Sequence, residues 1–380
     1  MTHTTSIFRR SVLLLATLAI ALTFEADLSF AQVVVGAAAP LTGPRALLGR
    51  NFKQGAELAL AEVNEAGGVL GKPLELVFED DQGDNPNAAI NAVNKLMQVD
   101  KVSVMLGPHY TVAQLSTQKS FCPSGPVSIT GASGIPVTEG GCKYLIRIRA
   151  NDNIQARALV EFTRKELKID KIGVIYINDD FGKAGSARVV SVMEEAGLKP
   201  LAVESHNPQD KDFSAQLAKM KNAGAGLVIL WTHDTEAALM VRQAKQLGLD
   251  FRFAGSTSLS EPSFTKLAGD AAEGVLSAND FVPSNPDERI QAFVQKYQAK
   301  YNQLPEIWAA TYYDAVHLAA KAINDAKSVD SDKVRAAFAT IKHTGLLANY
   351  GCDQKGNCNN QILIVEVKLG QPGIKSIVKF

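Results

Sequence analysis

Most residues of this 380-residue chain that are equipped for chemistry fail the spacing tests for catalysis or metal binding. The six histidines are scattered: His109, His206, His233, His317 and His343 share no His-x-x-x-His or His-Glu-x-x-His spacing, and His3 lies at the extreme N-terminus. His317 falls on an apolar helical run and reads as a core or surface residue, so no metal site is expected. Asp180-Phe181-Gly182 matches the magnesium triplet of kinases, yet neither a catalytic loop nor a phosphate-binding Gly-rich loop accompanies it. Gly67-Gly68-Val69-Leu70-Gly71 follows a helix and precedes a strand, the wrong order for a dinucleotide fingerprint. No Gly-x-Ser-x-Gly elbow is present. A Ser133-His233-Asp234 grouping fails as a triad because adjacent His and Asp cannot orient one another. The chain reads as a non-enzyme without cofactor.

Two loops remain. Gly107-Pro108-His109-Tyr110-Thr111 follows the apolar run Val102 to Leu106, and Thr130-Gly131-Ala132-Ser133-Gly134 follows Val127 to Ile129. In open α/β sheets ligands sit beyond the carboxyl ends of strands, where turns expose N–H groups and helix N-termini favour anions. A hydroxyl after a strand is more often a helix cap, so spacing alone leaves both roles open.

The elements that must position these loops alternate in type. Strand-like runs span Val33 to Ala39, Leu74 to Glu79, Val102 to Leu106, Val127 to Ile129, Leu145 to Ile148, Ile172 to Ile177, Leu201 to Glu204, Leu227 to Trp231, Phe251 to Ala254 and Gly274 to Ala278. Their β-branched continuity suits strands covered on both faces. Between them, Phe52 to Asn64, Asn87 to Met97, Ile154 to Leu167, Ala184 to Ala196, Phe213 to Lys221 and Thr235 to Gln246 carry apolar residues at helical spacing. Alternation of this kind predicts parallel, doubly wound sheets. Helices then dominate from Arg289 to Ile341, and Ile362 to Leu369 reads as a closing strand.

Polar breaks at 149–153 and 279–283, with a third crossing near 346–351, divide the chain into two discontinuous lobes. Lobe I takes residues 32–150 plus 281–345, and lobe II takes 151–280 plus 346–380. Several parallel crossings make a hinge, and a hinge makes a cleft that closes on ligand.

Residues 1–31 read as a cleaved secretion signal: Arg9 and Arg10 precede an apolar run from Ser11 to Phe24, and Ser29-Phe30-Ala31 forms the small-x-small site before Gln32. That places the protein in the periplasm. Lys and Arg balance Asp and Glu at 39 each, which gives no electrostatic reason to seek nucleic acid or an anionic membrane. All four cysteines lie in the exported part, where disulfides are favoured. Sequence order suggests Cys122 with Cys142 and Cys352 with Cys358, although three connectivities are possible.

Several segments, taken in order, carry a resemblance: Pro40-Leu41-Thr42-Gly43-Pro44, Gln54-Gly55-Ala56-Glu57-Leu58-Ala59, Gly67-Gly68 before Gly71, Asp80-Asp81-Gln82-Gly83-Asp84, Gly107-Pro108, Asp179-Asp180-Phe181-Gly182, Arg242 to Leu249 and Tyr313-Asp314-Ala315. Together the chain resembles the type I periplasmic solute-binding proteins, in particular the branched-chain amino acid and amide receptors of ABC transporters. The resemblance implies an α/β fold of two doubly wound Rossmann-like lobes joined by a multi-strand hinge. It also implies a monomer that hands a small molecule to an inner-membrane ABC permease; a ligand-sensing subunit of a signalling system is the alternative of another class.

The resemblance further implies a ligand carboxylate held on lobe I by Thr111 and by Ala132 with Ser133, Gly134 standing where a threonine is common. On lobe II, His233 falls where an aromatic residue is usual, and Thr257 where amino acid receptors commonly have a carboxylate. Phe181 begins a helix bordering the cleft, Leu48 lies in a loop at its mouth, and His109, Tyr110 and Trp308 line or roof the pocket. A buried ammonium needs a compensating charge that Thr257 cannot provide. The expected ligand is therefore a carboxylate without an α-ammonium, such as an aromatic or branched 2-oxo acid or an aromatic acid. Asp234 or Asp179 turned inward would restore a hydrophobic amino acid site.

Overall fold

A computed structural model describes residues 32–380; the secretion signal expected over 1–31 lies outside the described residues. The first lobe builds β1 (Val33–Ala39), α1 (Ala46–Glu65), β2 (Leu74–Asp80), α2 (Pro86–Gln98), β3 (Val104–Leu106), α3 (Thr111–Phe121), β4 (Val127–Thr130), a single turn α4 (Pro136–Glu139) and β5 (Leu145–Arg147). Its five strands are parallel in the order β2-β1-β3-β4-β5. Because β1 is followed outward by β2 on one side and β3 on the other, the loops after β1 and β3 diverge and open a crevice between them.

The chain then crosses to the second lobe through α5 (Asp152–Lys165), β6 (Ile172–Ile177), α6 (Asp180–Glu195), β7 (Val203–His206), α7 (Ser214–Asn222), β8 (Leu227–Trp231), α8 (Asp234–Gln246), β9 (Arg252–Gly255), α9 (Pro262–Ala268) and β10 (Leu276–Asn279). It returns to the first lobe for α10 (Glu288–Tyr301), α11 (Ile307–Ala326) and α12 (Ser331–Ala337), followed by the short pair β11 (His343–Thr344) and β12 (Asn349–Tyr350). Finally β13 (Gln361–Lys368) and β14 (Gln371–Lys379) join the second sheet, whose order is β14-β13-β10-β9-β8-β6-β7. Here the switch point falls between β6 and β8. No helix among the described residues is long and apolar enough to cross a membrane.

Helix starts beside the cleft are set by local chemistry. The Asn151 side chain accepts the Ile154 N–H to open α5, and Asp179 accepts the Gly182 N–H to open α6, each satisfying a donor that the first turn leaves unpaired. The apolar faces bury into separate cores: Phe52, Leu106, Tyr312 and their neighbours in the first lobe, and Leu159, Val174, Trp231 and Ile364 in the second.

Four sequence expectations change. The first helix starts at Ala46 rather than Phe52, because Leu48 already packs in the core one turn ahead of Phe52. Helix α3 escaped notice because its buried side includes Thr111, Gln114 and Thr117, which blunts the apolar periodicity. The fold ends in a hairpin rather than a single strand, since Pro372 and Gly373 look like turn residues but pair with Val367 and Glu366. Residues 346–358, assigned from sequence to lobe II, pack on the first lobe: Leu346, Leu347, Tyr350 and Cys358 belong to its core. The cysteines pair as Cys122–Cys142 and Cys352–Cys358.

Asp280 ties the three crossings together. Its Oδ1 accepts the Ala150 N–H at 2.7 Å and the Asn359 Nδ2 at 2.9 Å, while Oδ2 accepts Arg149 Nε at 3.0 Å. One buried carboxylate therefore touches every strand of the hinge.

Candidate functional site

The carboxyl ends of both sheets face one another across a cavity enclosing about 490 Å³ of space, including its mouth. From lobe I come His109, Tyr110 and Thr111 after β3, Ser133 after β4 and Trp308 in the first turn of α11; from lobe II come Phe181, His233 and Asp234 at the starts of α6 and α8, and Ser256, Thr257, Ser258 and Glu261 after β9. Arg149 and Gln155 enter from the hinge side. Two sheets with facing switch points put their strand-end loops here, which is why residues far apart in sequence converge.

Eight residues singled out from sequence line this cavity: His109, Tyr110, Thr111, Ser133, Phe181, His233, Thr257 and Trp308. Two others do not. Leu48 lies in the first turn of α1, buried in the lobe I core. Ala132 is buried beneath the surface, and its N–H is already donated to Thr130 Oγ1 at 3.0 Å.

The lobe I loops are held from behind. Arg147, wholly buried, donates through Nη1 to the carbonyl oxygens of Ser133 at 2.6 Å and Gly134 at 2.8 Å, and through Nη2 to Thr138 Oγ1. Burial lowers its pKa to about 10, which leaves it a cation at neutral pH. Thr111 Oγ1 accepts the Gly134 N–H at 3.2 Å. A Cβ on Gly134 would stand 2.4 Å from Thr111 Cγ2, so a threonine at 134 is incompatible with Thr111 in this position.

Arg149 is the cation of the cavity, 4 % exposed. Its Nε donates to Asp280, Nη2 to Thr257 Oγ1 at 2.8 Å and Nη1 to His109 Nε2 at 3.2 Å. Burial, then the nearby guanidinium, holds the His109 pKa well below its usual value. The ring is therefore neutral, and the network assigns its proton to Nδ1, 3.1 Å from the Tyr312 hydroxyl. A guanidinium has five N–H donors; three are used in these bonds. Thr257 in turn donates to the Ala278 carbonyl at 2.9 Å, so its hydroxyl serves Arg149.

Contacts across the cleft close it. Arg45 Nη1 reaches Asp234 Oδ1 at 2.8 Å, Tyr110 and His233 meet edge to face with ring centroids 5.6 Å apart, and Trp308 Nε1 donates to Glu261 Oε1 at 3.3 Å. Trp308 also stacks on His109 at 3.5 Å, and Phe181 on His233 at 5.2 Å. His233 Nε2 lies 3.1 Å from Asp179 Oδ2; burial raises the Asp179 pKa, but the His233 contact and two backbone N–H groups outweigh it and hold the carboxyl below its usual range. The aromatic walls supply flat, amphipathic area suited to a small planar ligand. No cluster of His, Cys, Asp and Glu able to hold a metal occurs among the described residues.

Sequence reasoning missed Arg149, Gln155, Ser256, Ser258 and Glu261. Arg149 sits in what reads as a polar linker, and Glu261 lies one turn beyond the position where an acid was sought; only the fold brings either inward.

The family model described as periplasmic binding protein matches residues 32–372. The leucine-, isoleucine-, valine-, threonine- and alanine-binding protein of Pseudomonas aeruginosa is 33 % identical over 353 residues, covering 91 % of this chain and 92 % of that one. A leucine-binding protein from Thermotoga maritima superposes with a TM-score of 0.84 at 25 % identity, covering 91 % of this chain and 99 % of its own. A solute-binding protein from R. palustris, solved with benzoate, shares the fold with a TM-score of 0.82 at 20 % identity, over 91 % of this chain and 96 % of that one.

Proposed function

The chain belongs to the periplasmic binding protein family, as a type I substrate-binding protein of the leucine/isoleucine/valine receptor branch, and on that premise we propose that it is the extracytoplasmic solute-binding component of an ABC importer. It takes a small carboxylate in the interlobe cleft and delivers it unchanged to a permease. Thr111 and Ser133 hold the carboxylate on lobe I while the cleft is open, and lobe II completes the site on closure, a population shift driven by contacts available only in the closed state.

The observation that supports a ligand without an ammonium group is Arg149. Its guanidinium lies 2.8 Å from Thr257 Oγ1, where an amino acid receptor commonly has a carboxylate. An ammonium placed there meets a guanidinium whose charge Asp280 already balances, so position 257 offers it no counter-charge, and removing an ion from water without a partner costs several kcal/mol. An acceptor oxygen there meets the guanidinium as a donor group. Aromatic or branched 2-oxo acids and aromatic acids fit this pattern.

A second reading, a branched-chain or other hydrophobic amino acid, draws support from the name of the Pseudomonas relative and from Asp234 and Glu261 in the cavity lining. Asp234 is already paired with Arg45, which weakens that reading. A thermal-shift panel of amino acids, 2-oxo acids and aromatic acids separates the two, because the true ligand stabilises the native state by mass action. The largest shift with an oxo or aromatic acid supports the first reading; the largest with leucine overturns it.

A further inference from the structure

Glu261 stands where the two lobes meet. It is 6 % exposed, lines the interlobe cavity, and accepts the Trp308 indole N–H from the opposite lobe through Oε1. It also lines a second hollow enclosing about 410 Å³ of space, including its mouth, beside Phe281, Leu304 and Ile307, so Glu261 stands between the two.

The other acids at the cleft have basic partners: Asp234 with Arg45, Asp280 with Arg149 and Asp179 with His233. Glu261 has no ion-pair partner among the described residues. The groups that face it are Tyr110 after β3, whose hydroxyl burial keeps neutral, Asp234 at the start of α8, Glu306 and Trp308 at the start of α11, and Arg149 from the hinge. Two are acids, and the one cation is already bound to Asp280. Burial first, then Asp234 and Glu306, push its pKa up to about 8 against the opposing pull of Arg149 and the indole.

We propose that Glu261 selects the polar group that accompanies the ligand carboxylate: as the neutral acid it donates its O–H to an acceptor oxygen of the ligand, and it admits an ammonium only by releasing that proton to solvent. The inference rests on the reading of the cleft as a carboxylate site and deepens it. An oxygen beside the carboxylate, keto or hydroxyl, meets donors from both Glu261 and Arg149. An amino group instead must draw a proton out of the site and face Arg149.

The test is calorimetric titration of phenylpyruvate and phenylalanine into the wild-type protein and E261Q from about pH 6 to about pH 9.5, in buffers of different ionisation enthalpy. Phenylpyruvate should bind the wild type at pH 7 with no proton exchange and weaken by up to about tenfold per pH unit above about pH 8, as the donor is lost. E261Q, which carries a donor at any pH, should flatten that profile, and E261L should weaken binding at every pH. If phenylalanine binds, it should release one proton at pH 7 and tighten with pH in the wild type, and bind E261Q poorly.

A flat wild-type profile for phenylpyruvate, or phenylalanine binding without proton release, overturns the proposal. If no carboxylate binds at any pH, the carboxylate reading fails on its own terms. The infrared difference between wild type and E261Q at pH 7 then judges Glu261: a protonated-carboxyl C=O band upholds the neutral acid, and its absence overturns the inference.

Discussion

Replacing Arg149 with Met removes the cation of the cavity and leaves Asp280 buried at 0 % side-chain exposure. Burial raises the Asp280 pKa even with the guanidinium in place. Without Arg149, the carboxylate has the Ala150 N–H and the Asn359 amide as its remaining donors. Breaking a buried ion pair from one side costs about 3–5 kcal/mol. That loss has a ceiling, because Asp280 can take up a proton instead; from an ordinary Asp pKa near 3.8, protonation at pH 7 costs about 4 kcal/mol.

The two estimates agree, so R149M should lose about 3–4 kcal/mol of unfolding free energy at pH 7. The variant's folded state then holds a proton that its unfolded state lacks between the two Asp280 pKa values. Stability is lost as pH rises through that window, and the deficit should shrink by about 1.4 kcal/mol per pH unit on acidification toward pH 5. D280N keeps an acceptor for Arg149, and R149M/D280N removes both charges, so the double variant should be more stable than R149M by about 2 kcal/mol at pH 7. Urea unfolding of the four proteins at pH 5 and pH 7 measures this. Losses that add within about 0.5 kcal/mol, with no pH dependence of the R149M deficit, would refute Asp280 as the hinge carboxylate that Arg149 neutralises.

Thr111→Ala removes a cavity-facing hydroxyl that also accepts the Gly134 N–H; loss of one such bond is worth about 1–1.5 kcal/mol, so ligand affinity by calorimetry should fall roughly tenfold, and an unchanged affinity refutes the assignment. Gly134→Ala places a Cβ 2.4 Å from Thr111 Cγ2 and should lower stability by about 1–3 kcal/mol, together with affinity, in parallel melting and binding measurements. Glu306 is half-buried, with its Oε2 buried and lacking a partner, and burial pushes its pKa up to about 7. Its raised folded value means that stability is lost as pH rises from about 4.5 to about 7, so E306Q should gain melting temperature over the wild type across that range and hold the gain above it. An advantage for E306Q that is largest at pH 4 would contradict this sign.

The alternation of β-branched runs with amphipathic segments made the doubly wound architecture legible, because strands covered on both faces leave continuous apolar runs. Strand-end position likewise pointed to the loops at 107–111 and 130–134, since a parallel sheet delivers its loops to one edge, while the family resemblance singled out Thr111, Ser133 and His233. Interiors that are polar were harder to read. Helix α3 buries Gln114 and Thr117, Arg147 braces the Ser133 loop from a fully buried site, and Arg149 turns inward from a segment that reads as linker; a buried arginine and an exposed one are the same letter until the partner carboxylate is placed. Leu48 shows the converse: an apolar residue near a loop reads as cleft lining from sequence, yet it sits one helical turn ahead of Phe52 and packs with it in the core.

The most direct test is a pair of calorimetric titrations at pH 7 with phenylpyruvate and phenylalanine, which differ at the α-carbon, alongside leucine. The charge arrangement at Arg149, Thr257 and Glu261 predicts that the oxo acid binds at least tenfold more tightly than its amino counterpart. Tight leucine or phenylalanine binding with no heat from phenylpyruvate would contradict it.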